Sequence, residues 1–220
     1  AETTAYVRQR TGRVNLDAWS AGAYWTHYGP QGWYLNAVIQ GTNYRGSART
    51  ASARLKTNGT GFVASLEGGY PIPLPQFGTS FVLEPQAQVL GQWTDFNRAN
   101  DGLGQVALGS TSGGAARAGL KGTWSLAGES GQIGQTYVRI DYWNEWGGDA
   151  STRYSGGGSS NSIPTVSRAQ YMDVGGGLTT QFNDHLSGFV DMGYQFTVGN
   201  DGNGRRKGLK GFIGLRYQFR

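Results

Sequence analysis

The sequence predicts an all-β chain folded as an antiparallel transmembrane β-barrel of the bacterial outer membrane. Three observations point there. Apolar residues recur at every second position from one end to the other. Short and long polar connections alternate along the chain. Aromatic side chains gather near the ends of the alternating segments, as the girdles of such barrels do.

Composition allows this fold and removes several others. The 220 residues include 38 Gly and no Cys; aromatics make up 13% and all hydrophobic residues only 37%, with a mean hydropathy of -0.46. So much aromatic content argues against a disordered chain, and collagen is excluded because no Gly-X-Y period exists. The apolar runs are only a few residues long, so no transmembrane helix is available; a spanning strand needs only about 9–11 residues with alternate ones apolar. AETTAYVRQR at the start has no apolar h-region, so no secretion signal is read there. Zero Cys removes disulfides and thiolate metal sites. The net charge of +5 is spread without a basic-aromatic motif, which excludes a nucleic-acid-binding sheet.

About ten strands follow from the period-two pattern: 4–13, 15–28, 32–44, 60–72, 79–96, 114–126, 134–146, 168–182, 186–198 and 208–219. In GWYLNAVIQGTNY, Leu35, Ala37 and Ile39 alternate with Asn36, Val38 and Gln40. In FVLEPQAQVLGQW, Leu83, Pro85, Ala87 and Val89 alternate with Glu84, Gln86 and Gln88. AARAGLKGTW sets Leu120 and Trp124 against Arg117 and Lys121, and TYVRIDYWNEW sets Val138, Ile140 and Tyr142 against Arg139, Asp141 and Glu145. A helix is ruled out because Gly interrupts nearly every window of helical spacing. Tight connections fall at 29–32, 73–78, 126–132 and 183–185; long polar ones fall at 43–60, 97–114, 147–168 and 199–206. A short TGR turn near residue 11 breaks that order.

In a soluble sandwich the apolar alternates would meet in a core; in a membrane barrel they face lipid and the polar alternates line a lumen. The barrel is favoured by the aromatics near strand ends: Trp33, Tyr34, Phe81, Trp93, Phe96, Trp124, Tyr142, Trp143, Trp146, Tyr194, Phe196, Tyr217 and Phe219. The polar alternates carry both signs: Glu67, Glu84, Arg117, Lys121, Arg139, Asp141, Glu145, Asp173, Asp191, Lys210 and Arg216. These are the expected lumen-lining residues, where charges pair and keep water. Glycines on the apolar face (Gly68, Gly91, Gly122, Gly176, Gly188, Gly211) suit lipid, which conforms to gaps, better than a core.

These residues resemble a known family. AWSAGAYWTHYGPQGWYLNAVIQGTNY (18–44) resembles the paired strands of autotransporter translocator β-domains, FVLEPQAQVLGQW (81–93) their Glu-Pro-Gln strand, and RAGLKGTW (117–124) the strand that follows. The last strand, with Ile213, Leu215, Tyr217 and Phe219, resembles the signal by which the outer-membrane barrel-assembly machinery recognises its clients. The resemblance implies a type V secretion translocator that anchors and exports a passenger through, or with, a hydrophilic barrel lumen. The family barrel has about twelve strands with a linker or helix in the lumen. Residues 1–220 are therefore expected to be one translocator domain lacking its first strands and lumenal segment. Arg220 after Phe219 departs from the family ending on an aromatic. Implied partners are the domain's own passenger or linker, the assembly machinery, lipid and lipopolysaccharide, with no nucleic acid and no cofactor.

Some family members cleave their own linker with an Asn positioned by barrel carboxylates; Glu67, Glu84, Asp141 and Asp173 are the candidates here. Pairing with Arg117, Arg139 and Arg216 is the plainer role for them, and the domain is expected not to be an enzyme. His27 and His185 fall at short turns, on the periplasmic side, far from any outer-rim substrate. No His/Asp/Glu cluster has metal-ligand spacing. The basic residues Arg45, Arg49, Arg54, Lys56, Arg205, Arg206 and Lys207 lie in long connections, within reach of lipopolysaccharide phosphates if these face outward.

A small structural, adhesive or porin-like outer-membrane barrel without a passenger is the alternative function, and a soluble sandwich lectin the third. In a closed barrel LKGFIGLRYQFR pairs with the first strand; where residues 4–13 are not that strand, its partner precedes Ala1. Deleting Phe219 is expected to abolish membrane assembly, measured as loss of the folded band in the outer-membrane fraction. Normal assembly without it would count against an assembly signal.

Overall fold

The computed structural model describes every residue except 1, 8–9, 79, 128–132, 157–158, 166–167, 184, 200–206 and 219–220. In chain order the described strands are β1 (Glu2–Val7), β2 (Arg10–Tyr28), β3 (Tyr34–Arg49), β4 (Arg54–Gly69), β5 (Ile72–Pro73), β6 (Phe81–Phe96), β7 (Ala99–Asn100) and β8 (Gln105–Ala107). They continue as β9 (Gly109–Ala127), β10 (Ile133–Gly147), β11 (Ala150–Gly156), β12 (Ser159–Thr165), β13 (Ala169–Gln181), β14 (Leu186–Thr197) and β15 (Lys207–Tyr217). Ten of them form one antiparallel meander in the order β1-β2-β3-β4-β6-β9-β10-β13-β14-β15, with β5 added beside β6. The sheet curls into half a barrel. Among the described residues no pairing joins β1 to β15, so both edges are open and the expected pairing of the last strand with the first is not made. Phe219 lies outside the described residues.

The meander has ten strands, as predicted, but the predicted strand 4–13 is divided between β1 and β2, with residues 10–13 belonging to β2; the other differences lie at strand ends. The long connection 43–60 is mostly strand: β3 runs to Arg49 and β4 begins at Arg54. Between them the Ala53 N–H donates to Thr50 Oγ1 at 3.1 Å and the Thr50 N–H to the Ala53 carbonyl at 2.9 Å. The ladder persists after the apolar alternation stops, because backbone pairing needs no lipid-facing side chain. The TGR sequence is also strand, since Thr11, Gly12 and Arg13 pair with Tyr6, Ala5 and Thr4.

Two other long connections make a second sheet, β12-β11-β8-β7, beyond the barrel edge. Its turn at NDGLG is held by Asp101, whose Oδ1 accepts the N–H groups of Leu103 and Gly104 at 2.9 and 2.8 Å. This is the ordinary Asx turn chemistry. Val106 is buried within this sheet, and the Arg54 N–H donates to the Asp101 carbonyl at 3.0 Å, tying it to β4. At the other end of the barrel the turns are tight. Gly29–Trp33 is closed by a 2.8 Å backbone bond, with Gln31 and Gly32 at φ 68 and 83. Tyr70 donates to Gln31 Oε1 at 2.6 Å, linking two neighbouring tight turns.

The polarity of the sheet is inverted relative to a soluble protein. Among the described residues the buried hydrophobics are Val106, Ala115 and Ala169, while Asp141 and Asp173 are the most deeply buried large side chains, at 1% exposure. Exposed instead are Trp25, Ile39, Phe62, Leu66, Val89, Leu120, Val138, Ile140, Val174, Met192, Ile213 and Leu215. The register puts them all on one face: Leu120 opposes Ile140, Ile140 opposes Val174, and Val190 opposes Ile213. A contiguous exposed apolar face this wide is what a bilayer covers. Ile140→Arg, in the middle of that face, is expected to cost about 2–4 kcal/mol, and Ile140→Leu less than about 1.5 kcal/mol. The urea midpoint of the domain folded in lipid vesicles is the measurement.

Candidate functional site

Opposite faces of one strand cannot exchange residues without a register slip, so the pairing table fixes what the charges meet. Gln88 stands opposite both Glu67 and Arg117, Glu84 opposite Lys121, and Lys121 opposite Arg139. Asp141 opposes Asp173, Gly177 opposes Asp191, Gly193 opposes Lys210, and Ser187 opposes Arg216. Glu145 shares this face through Ala115 and Ala169. Every one of the predicted charged residues therefore lies on the polar face.

Most of them are joined in one ionic belt. Arg117 reaches Glu67 at 3.0 Å and Asp141 at 3.1 Å; Arg139 reaches Asp141 and Asp173 at 3.0 Å each and Asp191 at 3.6 Å. Lys210 pairs with the second oxygen of Asp173. Several of these contacts skip a strand: Arg117 on β9 crosses β6 to Glu67 on β4, and Arg139 on β10 crosses β13 to Asp191 on β14. Backbones two strands apart are separated by about 9.6 Å in a flat sheet. Curling toward the polar side draws the side-chain tips together, which identifies this face as the concave one.

Neutral side chains complete the belt. Tyr34 lies 3.1 Å from Glu67 and 3.2 Å from Glu84, Gln86 donates to Glu84 at 2.5 Å, and Arg117 donates to Gln86 at 3.3 Å. Tyr137 donates to Asp191 at 2.5 Å, while Tyr171 donates to Glu145 at 3.1 Å. Trp143 stacks on Tyr171 with ring centroids 6.1 Å apart and carries the Arg117 guanidinium at 5.7 Å. Sequence reasoning placed Gln86 among the polar alternates without singling it out, missed Tyr137 and Tyr171, and placed Tyr34 and Trp143 with the girdle aromatics. They occupy the same alternate positions as the charges, so parity was the available signal. Phe96 is likewise on the polar side, packed on Tyr44 at 5.6 Å.

Glycine makes the floor of the belt. A Cβ on Gly119 would strike the Asp141 carboxylate, one on Gly175 would sit 3.1 Å from Arg139 Nη2, and one on Gly177 2.6 Å from the Tyr137 hydroxyl. The charged side chains thus lie flat across the sheet in the space that missing side chains leave.

Among the described residues, two expected cations stand outside the ion pairing. Lys121 sits over the Tyr137 ring at 5.1 Å, because the Glu84 carboxylate opposite it is taken by Tyr34 and Gln86. Arg216 has no carboxylate partner among the described residues, contrary to its expected pairing; it opposes Ser187, and the nearest acid in register, Asp191, is engaged by Arg139 and Tyr137. Arg216 lines a polar cavity of about 300 Å³ with Gln135, Thr179, Gln181, His185 and Gln218. His185 also stacks on Tyr217, and His27 lies between Trp25 and Trp33 at 5.7 and 5.3 Å, both beside tight turns. Among the described residues no group of His, Asp or Glu has metal-site geometry.

Arg139→Met leaves Asp141 and Asp173 facing each other across the ladder and is expected to destabilise the domain by about 3–5 kcal/mol. Lys121→Met removes a cation–π contact and is expected to cost about 1 kcal/mol or less. Denaturant titration of both variants in detergent distinguishes them.

Comparison with known proteins agrees with this architecture. The model of the autotransporter beta-domain family matches residues 1–193. No curated protein sequence matches the chain. The β domain of the Bordetella autotransporter BrkA is similar at 22% identity and a TM-score of 0.69, over 99% of this chain and 80% of that one. The transport unit of the autotransporter AIDA-I from Escherichia coli is similar at 17% identity and a TM-score of 0.63, over 97% and 70%. With an apolar outer face, an ion-paired concave face and a family match over most of its length, the chain belongs to the autotransporter β-domain family of outer-membrane translocators.

Proposed function

We propose that this domain exports its passenger across a barrel whose lumen is the concave ionic face. Glu67, Glu84, Arg117, Lys121, Arg139, Asp141, Glu145, Asp173, Asp191, Lys210 and Arg216 line that lumen, and a passenger hairpin or linker occupies it during export. The observation that carries this reading is the belt itself: charges are concentrated where a soluble fold has its core, opposite an apolar face of barrel width. The role is steric and electrostatic. Asp141 and Asp173, two candidates for positioning a self-cleaving Asn, are held by arginines, which favours the structural use of both.

The open edges at β1 and β15 are closed by further strands of the same polypeptide. Ile213, Leu215 and Tyr217 lie exposed on the outer face of β15 and, with Phe219, form the segment that the barrel-assembly machinery engages. The tight turns face the periplasm, and the second sheet stands at the cell surface.

The test is display of a reporter passenger joined through the natural upstream segment. In the translocator the reporter reaches the surface and is removed from intact cells by added protease. A reporter that stays protected while the barrel assembles normally would favour the passenger-free structural or porin-like barrel. Release of native protein without detergent would overturn both membrane readings.

A further inference from the structure

The ionic belt leaves part of the concave face without charge. The even-numbered positions 14–28 of β2 and 34–48 of β3 share that face with the odd-numbered positions 55–65 of β4 and the even-numbered positions 90–96 of β6. None of these positions holds Asp, Glu, Lys or Arg. The row Tyr24, Val38, Ser65, Leu90 and Ala115 leads directly to Glu145, so the uncharged wall is continuous with the ionic one.

The two walls also differ in what they leave uncovered. On the ionic side Asp141 and Asp173 are 1% exposed, whereas Val14, Tyr24 and Val38 on the uncharged side are 46%, 83% and 39% exposed. The polar groups between them are already engaged with each other, as in the 2.8 Å bond between Ser20 and Thr42. Apolar surface on the outer face is covered by the bilayer, but lipid does not reach the concave face of a closed barrel. Only water or polypeptide can cover it there, and water is the unfavourable cover. A polypeptide lying on this wall desolvates no ion. On the opposite wall Phe189 and Phe212 are exposed as well, but they stand among Asp191, Lys210 and Arg216, where close contact carries that cost. From Val14 to Tyr24 the wall extends about 33 Å along β2, room for about ten extended residues or a helix of about 22.

We propose that this uncharged wall is the track on which the segment joining passenger to barrel rests. That segment turns small or apolar side chains toward Val14, Tyr24 and Val38 and its charged ones toward the ionic belt. The inference rests on the export proposed above and adds which wall of the lumen the segment follows and what it presents there.

The test uses the full precursor, with the reporter passenger and the natural upstream segment, and a disulfide-closed loop in the reporter that arrests export. A photoreactive phenylalanine analogue is placed singly at Tyr24, Val38 or Phe212, and at Ile39 on the lipid face as background. Heat-modifiable gel mobility reports folding of each variant, and Thr42, on the same wall, replaces any wall position that does not fold. Adducts with the arrested segment are expected at Tyr24 and Val38 at a yield at least about tenfold above Phe212, with background yield at Ile39. Equal yields on the two walls, or a higher yield at Phe212, would overturn this inference and leave export through the lumen standing. A reporter that never reaches the surface from a folded barrel, with no adduct at any inner position, overturns the export reading and this inference together. Surface exposure of the reporter without any inner adduct does the same for a path through this lumen.

Discussion

Asp141 and Asp173 face each other across one position of the β10–β13 ladder, and the Arg139 guanidinium touches both. Two carboxylates at that spacing repel unless a cation stands between them. Much of the sheet depends on this contact. A slip of one residue between β10 and β13 would send one carboxylate toward lipid and bring an apolar neighbour, Ile140 or Val174, to the polar face. The same slip would separate Arg139 from Asp191 and leave Lys210 facing a different partner. Register across five strands is therefore fixed by a few ions whose alternatives all place charge in hydrocarbon.

Such a belt stabilises the fold less than its short distances imply. Desolvating the ions offsets most of the Coulombic gain, and apolar replacements of similar volume are often no worse. Its value lies in discrimination among registers and in curvature. Contacts that skip a strand form only when the sheet bends toward the polar side, as Glu67–Arg117 and Arg139–Asp191 do. Gly119, Gly175 and Gly177 permit that bend by leaving room for Asp141, Arg139 and Tyr137 against the backbone.

The membrane-crossing part of the fold was legible because lipid imposes a strict alternation on every strand. Leu83, Pro85, Ala87 and Val89 announce an outer face without any partner being known, and Glu84 and Gln86 announce the inner one. Beyond the bilayer that constraint lapses. The ends of β3 and β4, and the whole of β7, β8, β11 and β12, pair by backbone hydrogen bonds with mixed side chains on both faces, and they read as loops. Within the site, parity located the charged residues but not their partners. Which acid Arg117 selects depends on how far its side chain extends over β6, a distance that no single strand encodes. The aromatics mislead for a different reason: Tyr34 and Trp143 sit near strand ends like girdle residues, although their parity, and in the structure their contacts with Glu67, Glu84 and Arg117, put them on the inner face.

A channel for a polypeptide must be wet without being adhesive. Bare charges of one sign would attract or repel each passing segment according to its composition, whereas charges already compensated by neighbours present small net fields. The Glu67–Arg117–Asp141–Arg139–Asp173–Lys210 chain is of the second kind, spending its attraction within the wall. Arg216, in its polar cavity near the tight turns, and Lys121, over the Tyr137 ring, are cations outside that ion pairing. In the proposed export path, a segment entering from the tight-turn side meets Arg216, which has no carboxylate partner among the described residues, before the compensated part of the wall.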